Sequence, residues 1–189
     1  MELSKAIQNR RSVRKFSPKK PDWRNIIECI DSSRYAPMAG NNYTVKFILV
    51  DDEDKIKKIS GACQQQFISD AKFVAVVCSK PARTTNLYEE KGEIYARQQA
   101  GAAMENFILS IEEFGLATCW VGSFIEEQIK RELKIPADVN VEAVFPIGYE
   151  SEKPRVRHAK IELDRILFFN KYGDKKMQHP RNTSERLFK

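Results

Sequence analysis

Arg10, Arg11, Ser12 and Arg14 place three guanidinium groups and a hydroxyl within five consecutive residues. Side chains alternate in extended backbone, so Arg10, Ser12 and Arg14 share one face and Arg11 takes the other. A guanidinium is a rigid fork of donors that suits phosphate, and also a ring carbonyl or an electron-rich nitrogen. Read alone, the run is explained equally well as a solvated basic turn or a weak nucleic-acid patch.

Two more segments have the make-up of a ligand wall. In Ala36-Pro37-Met38-Ala39-Gly40-Asn41-Asn42 the small residues leave room for a flat ligand, and Gly40 relaxes the backbone. Asn41 or Asn42 can donate an amide to a ring carbonyl, although an ordinary helix-to-strand loop is the simpler account. In the segment from Gly115 to Phe124 two glycines bracket an apolar stretch that carries Trp120, one of only two tryptophans. Such a stretch can cross the face of an aromatic cofactor, and a core strand between two turns is a strong rival account.

These segments need elements to hold them. Leu3, Ala6 and Ile7 predict a short helix ending before Ser12, and Trp23, Ile26, Ile27 and Ile30 predict a second starting near Pro21 and Asp22. Residues 45–50, 73–78 and 141–145 read as strands, the first two without polar alternation, so both sheet faces should be covered. Asp54 is the expected cap of a helix carrying Ile56 and Ile59. Residues 82–92 are polar and carry no strong period. A long helix is expected over 93–114, packed on several sides through its small residues and ended by Gly115. A further helix is expected over 125–133, stopping before Pro136.

The 189 residues fit one domain, and 42% hydrophobic with 31% charged residues suffices for a core rather than a disordered chain. The charge of +6 permits phosphate contact without requiring nucleic acid, because both signs are mixed along the chain. Four cysteines form no CxxC pair, and two histidines, His158 and His179, cannot complete a compact zinc set. No signal-like or membrane-spanning apolar run is seen, so a cytoplasmic protein is the expectation.

Taken in order, the blocks resemble the nitroreductase family in its short form, over about residues 3–165. The family's Arg-x-Ser-x-Arg/Lys-x-Phe pattern is met by Arg10, Ser12, Arg14 and Phe16, and its Pro-Ser-x-x-Asn pattern by the stretch from Pro37 to Asn41. A Gly-Leu-x-x-Cys-Trp-x-Gly block is met by Gly115, Leu116, Cys119, Trp120 and Gly122, and an Ile-Gly-Tyr ending by Ile147, Gly148 and Tyr149. The resemblance implies an α+β fold with a central, mostly antiparallel mixed sheet, flanking helices, a long central helix and an intertwined homodimer. It divides the chain into an FMN-binding domain over 1–170 and a polar tail over 171–189, flexible or packed on the partner.

Carried over by position, Arg10 with Arg157 and Arg155 would hold the FMN phosphate. Ser12 and Arg14 would face the pyrimidine edge of the ring, where a cation favours negative charge. Arg11 belongs to the same run. Ala39, Gly40 and Asn41 would close the site from the second subunit, and Gln64 falls near the family's polar ring contact. The backbone of Cys119, Trp120, Val121 and Gly122 would lie along the other side. The implied activity is ping-pong reduction of nitroaromatics, quinones or similar electron-poor acceptors by NADH or NADPH, with no metal. Tyr88 and Tyr95 are candidate lid or pocket residues by position.

Tyr43-Thr44-Val45 departs from the family's Gln-Pro-Trp, which frees the backbone and alters packing below the loop. Two rivals remain: the same FMN fold with dehalogenation or enoate-type reduction, and a basic nucleic-acid-binding module. The second lacks aromatics interleaved with its cations.

Overall fold

The computed structural model describes residues 2–152 and 161–177. By contacts the chain falls into two units, residues 1–153 and 154–189.

In the first unit the order is α1 (Leu3–Asn9), α2 (Trp23–Ser32), β1 (Val45–Val50), α3 (Glu53–Cys63), β2 (Phe73–Ser79), α4 (Ala82–Tyr88), α5 (Glu90–Glu113), β3 (Ala117–Thr118), α6 (Glu126–Leu133) and β4 (Asn140–Gly148). The strands form one sheet in the order β1-β2-β4-β3, and each pairing is antiparallel. Every residue of β2 is buried, which explains its unbroken apolar run. Phe73, Ala75 and Val77 face a core completed by Ala100, Ala103, Met104 and Phe107 of α5. Val74, Val76 and Cys78 face a second core that includes Ile56 and Ile59 of α3 and Ile129 of α6. Both faces are therefore covered, as the sequence predicts.

Several boundaries differ from expectation for local reasons. Asp52, not Asp54, caps α3, its carboxylate accepting from the Lys55 N–H at 2.9 Å. Asp54 sits in the first turn and pairs with Lys57 instead. Pro21 precedes α2, and Asp22 caps it by accepting from the Arg24 N–H at 2.9 Å. Residues 82–88 form α4, which buries only Thr84. A helix with one buried side chain shows no apolar stripe, so its sequence carries no period.

Gly115 ends α5 as expected. With φ +68°, it donates to the Glu112 carbonyl at 3.0 Å, while Leu116 donates to Ile111 at 3.0 Å. Gly101 serves no close packing against another element among the described residues: a methyl there would meet none of them within 4 Å beyond its own helix.

In the second unit, residues 161–177 include a short helical turn at Leu163–Arg165 and stack Phe168 against Tyr172 at 4.6 Å between ring centroids. Lys175 lies over the Phe168 ring at 4.3 Å.

Candidate functional site

The arginine-rich segment leaves α1 and is stitched to the far edge of the sheet. Val13 donates to the Thr118 carbonyl at 2.9 Å, Ser17 to Tyr149 at 2.7 Å, and Ser151 returns a bond to Lys15 at 3.1 Å. Val13 and Phe16 are buried with Ala71 and Ala117, and Phe67 packs on the same cluster. The Phe16 ring seats directly on Gly148, where an added Cβ would fall 3.0 Å from the ring. That contact gives a physical reason for a glycine in the Ile-Gly-Tyr ending.

Anchored in this way, Arg10 and Arg11 line one cavity of about 160 Å³ with Glu105, Ile108, Thr118 and Trp120. Strict alternation therefore fails at this end of the segment, because both arginines border the same space. Their circumstances still differ. Arg11 is ion-paired with Glu150 and keeps a buried Nε with no hydrogen-bond partner. Among the described residues the Arg10 side chain has neither a hydrogen bond nor an ion pair. Burial raises the Glu112 carboxyl above its usual range, with Arg11 and Arg10 opposing the rise and Glu150 adding to it.

Arg14 is exposed, with its guanidinium carbon 6.0 Å from the centre of the Phe67 ring. Ser12 is half-buried beside it. Gln64 closes α3 in the left-handed region at φ +54° and is exposed, in the connection leading to Phe67. Arg14 and the turn Gln66–Asp70 that carries Phe67 thus share one rim.

The apolar segment divides by side chain. Cys119 and Val121 are buried in the core, whereas Trp120 is 40% exposed at the cavity, its ring 5.4 Å from Phe145. Val121 exchanges two backbone bonds with Val144, at 3.0 and 2.9 Å. Its N–H, carbonyl and side chain are all engaged, so it holds the segment in place. Gly122 is exposed. Burial pushes the Cys29, Cys63 and Cys78 thiols up to about 11.

The loop Ala39–Asn41 lies elsewhere on this chain. Gly40 and Asn41 both take left-handed backbone, at φ +59° and +53°. A Cβ on Gly40 would fall 3.1 Å from the Tyr88 hydroxyl, so the loop packs on α4. Gln99 in the first half of α5 donates to the Asn42 carbonyl at 3.3 Å. The cavity borders Glu105 and Ile108, roughly 9–14 Å further along the helix axis. One chain therefore does not bring Asn41 to Arg10. Tyr88 and Tyr95 do meet, edge to face at 5.2 Å.

Arg155 and Arg157 lie outside the described residues. Gln99 was missed by the sequence reading, although a glutamine on the stripe of Ala96, Ala100 and Ala103 is a visible signal. Glu150 and Phe67 carry no such signal, because only the fold brings them to the arginines. Among the described residues no group of three or more His, Cys, Asp or Glu is placed to hold a metal, and no helix is long and apolar enough to cross a membrane.

Comparison with known proteins fits this arrangement. The Nitroreductase family model matches residues 7–69 and 57–149. An Archaeoglobus fulgidus protein carrying the name NADH dehydrogenase/NAD(P)H nitroreductase is 29% identical over 157 residues, spanning 80% of this chain and 87% of its own. A solved nitroreductase family protein from Clostridium novyi NT is 26% identical with a TM-score of 0.75, covering 92% of this chain and 96% of its own. The NADPH:FMN oxidoreductase of Vibrio harveyi, solved with NAD+, shares the fold at a TM-score of 0.80 and 18% identity, over 91% of this chain and 78% of its own. With its α+β sheet, its stitched arginine segment and a family match that covers most of its length, the chain belongs to the nitroreductase family.

Proposed function

We propose that the protein is an FMN-dependent NAD(P)H oxidoreductase that reduces nitroaromatics, quinones or similar electron-poor acceptors by a ping-pong route. The observation that carries this reading is the Arg10 guanidinium, unpaired among the described residues, at a cavity also lined by Arg11 and Trp120. The donor set suits a phosphate, and about 160 Å³ suits a group of that size but not a tricyclic ring. A tricyclic ring would therefore need space beyond this cavity, which a second subunit would enclose. Family membership supports the cofactor, since the matched model spans every segment named here except Arg155 and Arg157.

When bound, FMN supplies the hydride chemistry, accepting from the nicotinamide nucleotide and passing reducing equivalents to the acceptor. Arg10 would bind the phosphate. Ser12 and Arg14 orient the pyrimidine edge, and the fixed charge of Arg14 favours electron gain there. The backbone of Cys119, Trp120 and Gly122 supports the opposite side. Ala39, Gly40 and Asn41 of a second copy exclude water from the site, and Gln64 supplies an amide at the rim. The protein works as a homodimer in the cytoplasm.

The nucleic-acid reading is disfavoured by the state of the basic run. Among the described residues Arg11, Lys15 and Lys20 pair with Glu150, Glu152 and Asp51, so part of the basic run is already neutralised. The test is NADH or NADPH oxidation by purified protein against a nitroaromatic, a quinone, an aryl halide and an activated alkene. Turnover of the first two is expected. A yellow protein inert to both but active on the halide or alkene would transfer the activity to that rival.

A further inference from the structure

We propose that Gln99 is the positioning residue of the cofactor loop, replacing the rigidity that the family pattern obtains from a proline. The inference rests on the reading that the loop around Ala39–Asn41 closes the FMN site. Thr44 stands at the family's proline position and is 3% exposed. A proline there has no N–H to satisfy and holds its own φ. Threonine instead brings a buried N–H and a buried hydroxyl, and both need an acceptor.

Gln99 Oε1 accepts both, at 2.7 Å from the Thr44 N–H and 2.6 Å from its hydroxyl. The other end of the same amide donates to the Asn42 carbonyl at 3.3 Å. Asn42 in turn donates from its side chain to the Thr84 hydroxyl at 3.2 Å. The Thr44 carbonyl accepts from the Lys80 N–H at 2.9 Å, which ties the exit of the loop to the sheet. Gln99 itself is only 4% exposed and is fixed by the alanine-rich face of α5. One rigid helix therefore sets where Asn41 stands, and the two left-handed residues, Gly40 and Asn41, hang from that point. Asn42 and Thr84 extend the tether to α4.

The test uses the full chain as wild type, Gln99→Leu, and Gln99→Leu combined with Thr44→Pro. Amide hydrogen exchange is followed on cofactor-free protein, and FMN affinity by fluorescence titration. In Gln99→Leu, exchange over residues 39–46 should rise about fivefold or more, with the second half of α5 unchanged. FMN Kd should rise about tenfold. Adding Thr44→Pro removes the N–H and hydroxyl left without an acceptor, so both values should return towards wild type.

Wild-type loop exchange in Gln99→Leu, or no recovery in the double variant, overturns the proposal. Faster exchange with unchanged FMN affinity also overturns it, because Gln99 would then be structural only. If Gln99→Leu does not fold, Thr44→Val removes one of the two bonds and should give a smaller rise in the same peptide; no rise overturns the proposal. Wild-type protein without FMN affinity would contradict the cofactor reading instead, and the exchange comparison would still decide whether Gln99 holds the loop.

Discussion

Arg10 and Arg11 are neighbours in the chain and border one cavity, yet among the described residues only Arg11 has a carboxylate partner. That difference separates binding from stability. Arg10→Ala should weaken FMN binding about tenfold, as loss of a charge-assisted contact does, and leave the urea midpoint of the cofactor-free protein unchanged. Arg11→Ala should lower cofactor-free stability by about 1–2 kcal/mol, because Glu150 loses its partner in a half-buried position. Titration of FMN fluorescence and urea unfolding check the two halves, and equal effects on both readouts would contradict the division. The sequence shows the donors, since three arginines within five residues are visible without a fold. Their pairing is not visible, because Glu150 lies 139 residues from Arg11 and only the bridge between Phe16 and Glu150 brings it there.

Elements were legible where they bury a stripe or a whole run. The strands at 45–50 and 73–79 and the long helix announce themselves through apolar spacing, and the left-handed Gly115 marks where α5 stops. Helix α4 was not legible, since its side chains are exposed except Thr84 and its position depends on backbone packing. The helix lies so close to α5 that a Cβ on Gly92 would fall 2.5 Å from the Thr84 carbonyl oxygen. Gly92→Ala should therefore destabilise the protein by about 1–3 kcal/mol through overpacking. Exchange should quicken first in residues 82–88 and in the loop that packs on Tyr88. Thermal unfolding and exchange mapping check this, and a Gly92→Ala protein matching wild type in both would show that α4 tolerates displacement.

At the scale of the whole molecule, two apolar cores sandwich an antiparallel sheet, and the arginine segment is fastened along the β3–β4 edge. The loop of Asn41 and the cavity of Arg10 stand apart on one chain, so a site that uses both requires two copies. The chain mass is 21.8 kDa, so the expected species in solution has about twice that mass, as sedimentation or light scattering can establish. The ordered blocks made the family legible from the sequence.

The proposed function requires this fold to hold a reducible flavin. Its most direct test is the absorption spectrum of the purified chain after incubation with FMN and removal of the excess. Bands near ~450 and ~370 nm that bleach on adding NADH or NADPH are the predicted result, these positions being those of oxidised flavin in general. A chain that elutes colourless, or whose bound flavin stays oxidised with both nucleotides, would contradict the proposed function.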